Sequence, residues 1–285
     1  MTARVLGGKD LAAVLRERAA EAGRALAGNG VAVRLAVVLA TRDESAAWYV
    51  RSLSRAAGRA GIRCEVIDLG EGAPGGEIAA TLSRLSADPQ VDGIILQTPL
   101  PPGLRSAELS QAIDAAKDVD GASPVSLGRL MAGLPAFAPA TAQAVLQLLD
   151  FYGIELSGRR AVVVGRSVVV GKPLAQLLLA RDATVTICHS RTLNLADVTA
   201  EADLLVVAAG RAGLITAGYV GPGAVVIDVG TNPTPEGRLT GDVDAVSVMG
   251  AAAALSPVPG GVGLVTTAQV LLNTVNAAVA WRQSS

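Results

Sequence analysis

The stretch that decides the fold is "AVVVGRSVVVGKPLA", Ala161 to Ala175. An apolar run meets a glycine, three valines follow an Arg-Ser pair, and a second glycine precedes Lys172 and Pro173. Read locally, Gly165 ends a buried strand and Gly171 opens a helix. Such a turn supplies backbone N–H groups and the positive end of a helix dipole, which is what a phosphate needs. The spacing is G-x-S-x-x-x-G and not G-x-G-x-x-G, so a corner that simply requires two glycines is the competing reading. The next apolar run, "TVTICHSRT", bears on the choice. A dinucleotide with a free ribose 2′-hydroxyl meets Asp or Glu at this strand end. Here the end carries His189, Ser190 and Arg191, with Arg166 in the preceding loop, all donors suited to a 2′-phosphate. The expected cofactor is therefore NADP, with Gly165, Arg166, Ser167, Gly171, Pro173, His189, Ser190, Arg191 and Thr231 around it. For each arginine a solvated surface cation is the alternative.

Working outward, the same alternation of short apolar runs and helical periods continues in both directions. Downstream, "ADLLVVAAG" and "GAVVIDVG" read as strands, and "LVTTAQVLLNTVNAAVAW" as a long apolar helix. Upstream, "VRLAVVLA", "RCEVIDLG" and "VDGIILQTPLP" read as strands. They alternate with helices over "GKDLAAVLRERAAEAGRALA", "SAAWYVRSLSRAAGRAG" and "GGEIAATLSRLSAD". Such alternation implies right-handed βαβ units and parallel sheets. Ligands of open parallel sheets sit at the carboxyl ends of the strands, which gathers Thr41 to Tyr49, Gly70 to Gly75 and Gln97 to Pro101. Between the two series, "DVDGASPVSLGRLMAGLPAFAPAT" has no clean period and reads as a linker and hinge.

Composition agrees with a packed protein that handles a small molecule. The 285 residues are 51% hydrophobic and 17% charged with a net charge of -1, which excludes a disordered chain and gives no basic nucleic-acid surface. Aromatics are 2%, so the core is built from Ala, Val, Leu and Ile. The two cysteines, Cys64 and Cys188, read as free buried thiols, and the single histidine cannot build a metal site alone. No apolar leader opens the chain and no uninterrupted run of membrane-spanning length is expected. A cytoplasmic protein follows.

With the glycine turn read this way, the chain resembles the bifunctional methylenetetrahydrofolate dehydrogenase/methenyltetrahydrofolate cyclohydrolase family over nearly its whole length. The resemblance rests on "WYV", "VDGIILQTPLP", "KDVDG", "GRSVVVGKP", "CHSRT", "VVIDVGTN", "GDVD" and "SPVPGGVG", in that order. It implies an α/β protein of two domains with a cleft between them. One is an N-terminal α/β catalytic domain of residues 1–140 plus 265–285. The other is a Rossmann-like NADP-binding domain of residues 141–264. A homodimer is implied as well. By resemblance Tyr49 lies over the folate, Gln97 supports the catalytic group, and Asp120 holds the pterin. One carboxylate can accept the adjacent amino and ring N–H of a pterin edge, although an Asp before Gly121 is also a turn former. Pro259, Gly260, Gly261 and Gly263 form a loop near nicotinamide and folate, or else a tight turn into the last helix.

The resemblance breaks at one position of chemical weight. The family pattern places a lysine four residues after the tyrosine, and here that residue is Leu53. Arg51 and Arg55 flank it but point elsewhere by helical spacing, and arginine does not relay protons at working pH. Ala46, Ser123, Ala142 and Leu264 depart from the pattern too. Hydride transfer to NADP needs positioning of one carbon against the nicotinamide, whereas cyclohydrolysis needs proton transfers. The expectation is a dehydrogenase whose cyclohydrolase activity is weak or lost. A fully bifunctional enzyme, a paralogue with another NADP-dependent redox reaction, and a non-catalytic folate- or NADP-binding protein stay open.

Overall fold

A computed structural model describes residues 2–283. The chain divides into two compact units. One combines the residues up to Ala12 with Thr141–Thr266, and the other combines Ala13–Ala140 with the residues from Thr267 onward.

The second of these carries a three-stranded parallel sheet in the order Arg63–Asp68, Arg34–Leu39, Gly93–Leu96. The central strand, "RLAVVL", is buried along nearly its whole length, as a strand covered on both faces must be. Parallel neighbours need crossovers, and helices Glu44–Arg59 and Gly75–Ala87 supply them. Ile78, Leu82 and Leu85 of the second helix pack on Val38 and Ile94 of the sheet. Gly93 is required by packing: a Cβ there would stand 2.9 Å from the Val119 side chain and 3.1 Å from that of Thr274, on the long C-terminal helix Val262–Gln283.

The first unit is built on a six-stranded sheet, parallel throughout. Its order is Arg4–Val5, Ala254–Leu255, Val225–Asp228, Leu204–Val207, Arg160–Val164, Thr184–Cys188. Its core is made of small branched side chains, among them Val162, Val164, Leu205, Val207 and Val226. This is the two-unit parallel α/β architecture expected from the alternation.

Five features depart from the sequence reading. The supposed hinge contains a helix, Pro124–Met131, started by the Ser123 side chain, which accepts from the Ser126 amide. Its eight residues are too few to show a period. The run "VDGIILQTPLP" is strand only to Leu96 and continues as a loop with a cis Thr98–Pro99 bond. Arg4–Val5 joins the six-stranded sheet beside Ala254–Leu255, so the first residues pack with the later unit and not with the block 1–140. The stretch Val262–Trp281 is long and apolar enough to cross a membrane by length and composition, which the sequence reading did not expect. It is 67% buried in the protein, the condition of a core helix. Of the two cysteines, Cys188 is buried, while Cys64 is only half-buried, at 3.3 Å from Ser54 Oγ.

Candidate active site

Strands Arg160–Val164 and Thr184–Cys188 are paired so that Val164 stands opposite Cys188, and the Gly165 amide donates to the Cys188 carbonyl at 2.8 Å. The glycine turn and the His189–Arg191 segment therefore leave adjacent strands at the same edge. Gly165 adopts φ 139°, and a Cβ on it would meet the Ala208 carbonyl; a Cβ on Gly171 would meet the Gly165 carbonyl. Both glycines are needed for this corner whether or not anything binds there.

What the corner offers differs from the expectation in one respect. Ser167 Oγ accepts from the Val170 and Gly171 amides, at 3.1 and 3.4 Å, and the Lys172 amide donates to the Ser167 carbonyl. The first amides of helix Gly171–Leu179 are thus already engaged. Those of Arg166, Ser167, Val168 and Val169, all in exposed residues, donate to no described residue and are the ones presented to an anion. At the neighbouring strand end the His189 amide donates to Thr192 Oγ1, and His189 Nδ1 accepts from the Arg191 amide at 3.2 Å. That bond leaves the ring proton of a neutral imidazole on Nε2. The tight turn exposes Ser190 and Arg191, with Arg166 also exposed. Pro173 is buried in the helix, and Thr231 is exposed beyond strand Val225–Asp228, on the far side of Leu204–Val207. These residues fit a phosphorylated dinucleotide: free amides for a pyrophosphate and cations for a 2′-phosphate.

In the other unit the polar residues meet differently. Helix Glu44–Arg59 is started by Asp43, whose carboxyl accepts from the Ala46 amide, and it buries Ala46, Val50, Leu53 and Ala57. Leu53 has no exposed surface, while Arg51 and Arg55 face water. Tyr49 is half-buried; burial raises its phenol well above the usual range, and the neighbouring Asp120 charge adds to the rise. The Asp120 carboxyl is itself pushed up to about 7, first by burial and then by the Asp118 charge. Among the described residues, nothing donates a hydrogen bond to it. The loop that carries it is nevertheless pinned. Asp118 accepts from the Ala122 and Ser123 amides, Asn273 donates to the Val119 carbonyl at 2.8 Å, and Ala140 donates to the Asp120 carbonyl. Lys117, just upstream, caps the end of helix Gly75–Ala87 through Nζ at 2.7 Å from both the Ser86 and Asp88 carbonyls. Gln97 is half-buried and donates to the Thr98 carbonyl at 2.7 Å.

The expected folate loop lies in the unit of the six-stranded sheet. Val258–Pro259 is cis, Gly260 has φ 104°, and the Gly260 carbonyl accepts from Gly8 at 2.8 Å. A Cβ on Gly261 would stand 2.6 Å from the Pro257 carbonyl. Structure thus brings Tyr49 and Asp120 together in one unit, and Gly165 to Gly171 and His189 to Arg191 together in the other.

Sequence reasoning gave no role to two buried carboxylates. Asp242 accepts from the amides of Ala209, Gly210 and Arg211 at 2.6 to 2.9 Å and from Asn232 Nδ2 at 2.8 Å. Asp228 accepts from the amides of Gly230, Asp242 and Val243. Burial raises the Asp228 carboxyl to about 6 against those three donors, with the Asp242 charge a smaller contribution. The signal was present: both aspartates sit beside glycines, in "VVIDVGTN" and "GDVD", that leave no room for a Cβ.

Residues 6–120 match the family described as "Tetrahydrofolate dehydrogenase/cyclohydrolase, catalytic domain", and residues 139–282 match its "NAD(P)-binding domain". The chain is 60% identical over 278 residues to "Bifunctional protein FolD 1" of Paenarthrobacter aurescens, covering 98% of this chain and 95% of that one. A solved FolD methylenetetrahydrofolate dehydrogenase/cyclohydrolase from Campylobacter jejuni superposes with a TM-score of 0.94 at 39% identity, covering 97% and 98% of the two chains. A Trypanosoma brucei enzyme, solved in complex with NADP cofactor and inhibitor, gives 0.93 at 33% identity, covering 100% and 99%.

Proposed function

The chain belongs to the tetrahydrofolate dehydrogenase/cyclohydrolase family, and from that membership we propose that it oxidises 5,10-methylenetetrahydrofolate to the 5,10-methenyl cation with NADP. The observation that carries the reading is the anion-ready corner at Arg166–Val169, set beside the exposed Ser190 and Arg191 on the adjacent strand end. NADP supplies the hydride acceptor; the chain's work is to bind and orient. The amides of residues 166–169 take the pyrophosphate, and Arg166, His189, Ser190 and Arg191 take the 2′-phosphate. Thr231 contacts the cofactor further along the sheet. Asp120 accepts two adjacent N–H groups of the pterin, Tyr49 covers the ring, and Gln97 lies at the reacting end. The unit bearing Tyr49 and Asp120 is the folate-binding part, and the unit of the six-stranded sheet is the cofactor-binding part. The active form is a cytoplasmic homodimer, a reading supported by the family alone.

The second family reaction, hydrolysis of the methenyl cation, is weak or lost in this reading. Water addition and ring opening need a group that moves protons, a contribution of about 10²–10⁴-fold. Leu53 offers only an alkyl side chain, fully buried, and its cationic neighbours face solvent. A competing reading retains both activities. It is favoured by the name of the 60% identical relative, which is called bifunctional, and by Asp120, whose carboxyl at about 7 is suited to proton transfer. Two assays on one sample decide. NADPH formation from methylenetetrahydrofolate tests the dehydrogenase; loss of methenyltetrahydrofolate above the spontaneous rate tests the hydrolysis. Oxidation without hydrolysis supports the proposal, and the Leu53→Lys variant then tests the assignment by gaining hydrolysis. A hydrolysis rate proportional to enzyme refutes the Leu53 argument, and absence of both activities refutes the dehydrogenase.

A further inference from the structure

We propose that Asp242 is a positioning residue for the nicotinamide half of the cofactor. The inference deepens the NADP reading and rests on it. The glycine turn follows strand Arg160–Val164, and the cations for the adenosine 2′-phosphate follow Thr184–Cys188, the last strand on that side of the sheet. A dinucleotide lies across such a sheet at the carboxyl ends of its strands. Its second half must then extend the other way, over the ends of Leu204–Val207 and Val225–Asp228. The segments leaving those two strands are the ones that Asp242 ties together.

One oxygen of Asp242 takes the Ala209 and Gly210 amides, at 2.6 and 2.9 Å. The other takes the Arg211 amide and Asn232 Nδ2, both at 2.8 Å. Three consecutive amides can converge on one carboxylate only if the loop after Leu204–Val207 curls around it. The Asn232 bond fixes the loop after Val225–Asp228 to the same point. Thr231, an expected cofactor contact, is held on both sides, because Gly230 donates to Asp228 Oδ1 at 2.9 Å. Asp228 in turn fixes Asp242 itself by accepting from its amide at 3.0 Å and from Val243 at 2.9 Å. Asp242 is fully buried, and a Cβ on Gly230 would collide with its carboxyl group, so the aspartate touches no ligand and acts through the loops. Charge-assisted bonds of this kind hold a loop in place before the ligand arrives, which is how a site reduces the ordering cost of binding.

The test compares whole NADP with adenosine 2′,5′-bisphosphate, its adenine half, by calorimetric titration of the intact protein and two variants. Asp242→Asn is expected to weaken NADP about tenfold and lower kcat, while adenosine 2′,5′-bisphosphate binds within twofold of the parent. Asn232→Ala, which removes one of the four donors, is expected to do the same to a smaller degree and decides the matter if Asp242→Asn does not fold. Equal loss of both ligands would mean a general structural role and overturn the proposal, as would unchanged NADP binding and kcat in both variants. Failure of the parent protein to bind NADP refutes the cofactor reading itself, a result separate from either.

Discussion

Asp120 and Asp242 are carboxyl groups held away from water, one in each compact unit, and their surroundings treat them in opposite ways. Asp242 is fully buried and receives four N–H donors. Asp120 is half-buried beside Tyr49, receives none from the described residues, and titrates near 7. A buried carboxylate whose acceptors are filled by backbone is complete without a ligand; its work is to shape the chain. One left without donors beside a second acid is destabilised until something with N–H groups arrives. On the proposed reading, the difference separates a residue that shapes a site from a residue that meets the ligand.

The largest effect expected from that contrast is on turnover. On the proposed role, Asp120→Asn replaces an acceptor of two pterin N–H groups by an amide that must turn one donor toward a donor. Two charge-assisted bonds at about 1.5–3 kcal/mol each make a loss of about 10²–10⁴-fold in kcat/KM, with NADP affinity unchanged and the melting temperature equal or higher. Retained kcat/KM would remove Asp120 from the substrate site. Asp242→Ala is expected to act on stability as well as on the cofactor: four donors lose their acceptor, and stability falls by at least about 3 kcal/mol, given roughly 1–3 kcal/mol for each buried group left unsatisfied and partial recovery by water. Denaturant unfolding measures it. Gly230→Ala comes next, because its Cβ would meet the Asp242 carboxyl group. It is expected to cost about 1–3 kcal/mol as an overpacking change and to weaken NADP as Asp242→Asn does. A fully stable Gly230→Ala protein would show that the loops around Asp242 yield easily, and the contrast with Asp120 would lose its basis.

The two aspartates were unequally legible in the sequence. Strands "RLAVVL" and "RAVVV" could be read because apolar runs bounded by glycine or charge have few other uses. The glycine corner could be read because a strand-to-helix turn that needs two glycines is a short local pattern, and Gly165 to Gly171 is one. Its detailed chemistry could not: that Ser167 Oγ occupies the Val170 and Gly171 amides depends on a rotamer, not on spacing. Asp120 was reached through resemblance, since alone "VDG" reads as a turn. Asp242 went unassigned because its partners, Ala209 to Arg211 and Asn232, are up to 33 residues away in sequence and three of the four are backbone amides, which leave no mark on residue identity. Strand Arg4–Val5 was missed for the same reason. Two residues carry no period, and only the sheet edge offered by Ala254–Leu255 makes them a strand.

The smallest expected effect is also the one that isolates Asp120 with no ligand present. Its folded carboxyl titrates at about 7, whereas an unfolded aspartate titrates near 3.9. Between those values the folded state binds more protons than the unfolded state, so stability falls as pH rises through the window and the loss is complete above the folded value. Asp228, raised to about 6, acts with the same sign, is half titrated at pH 6, and fades over the next pH unit. The interval from pH 6 to 7.5 therefore belongs mainly to Asp120, with a slope of at most about 1.4 kcal/mol per pH unit. Unfolding free energies of the parent should decline across that interval, and those of Asp120→Asn should be flatter. Parallel curves would assign the proton to another group and count against a pterin contact at Asp120.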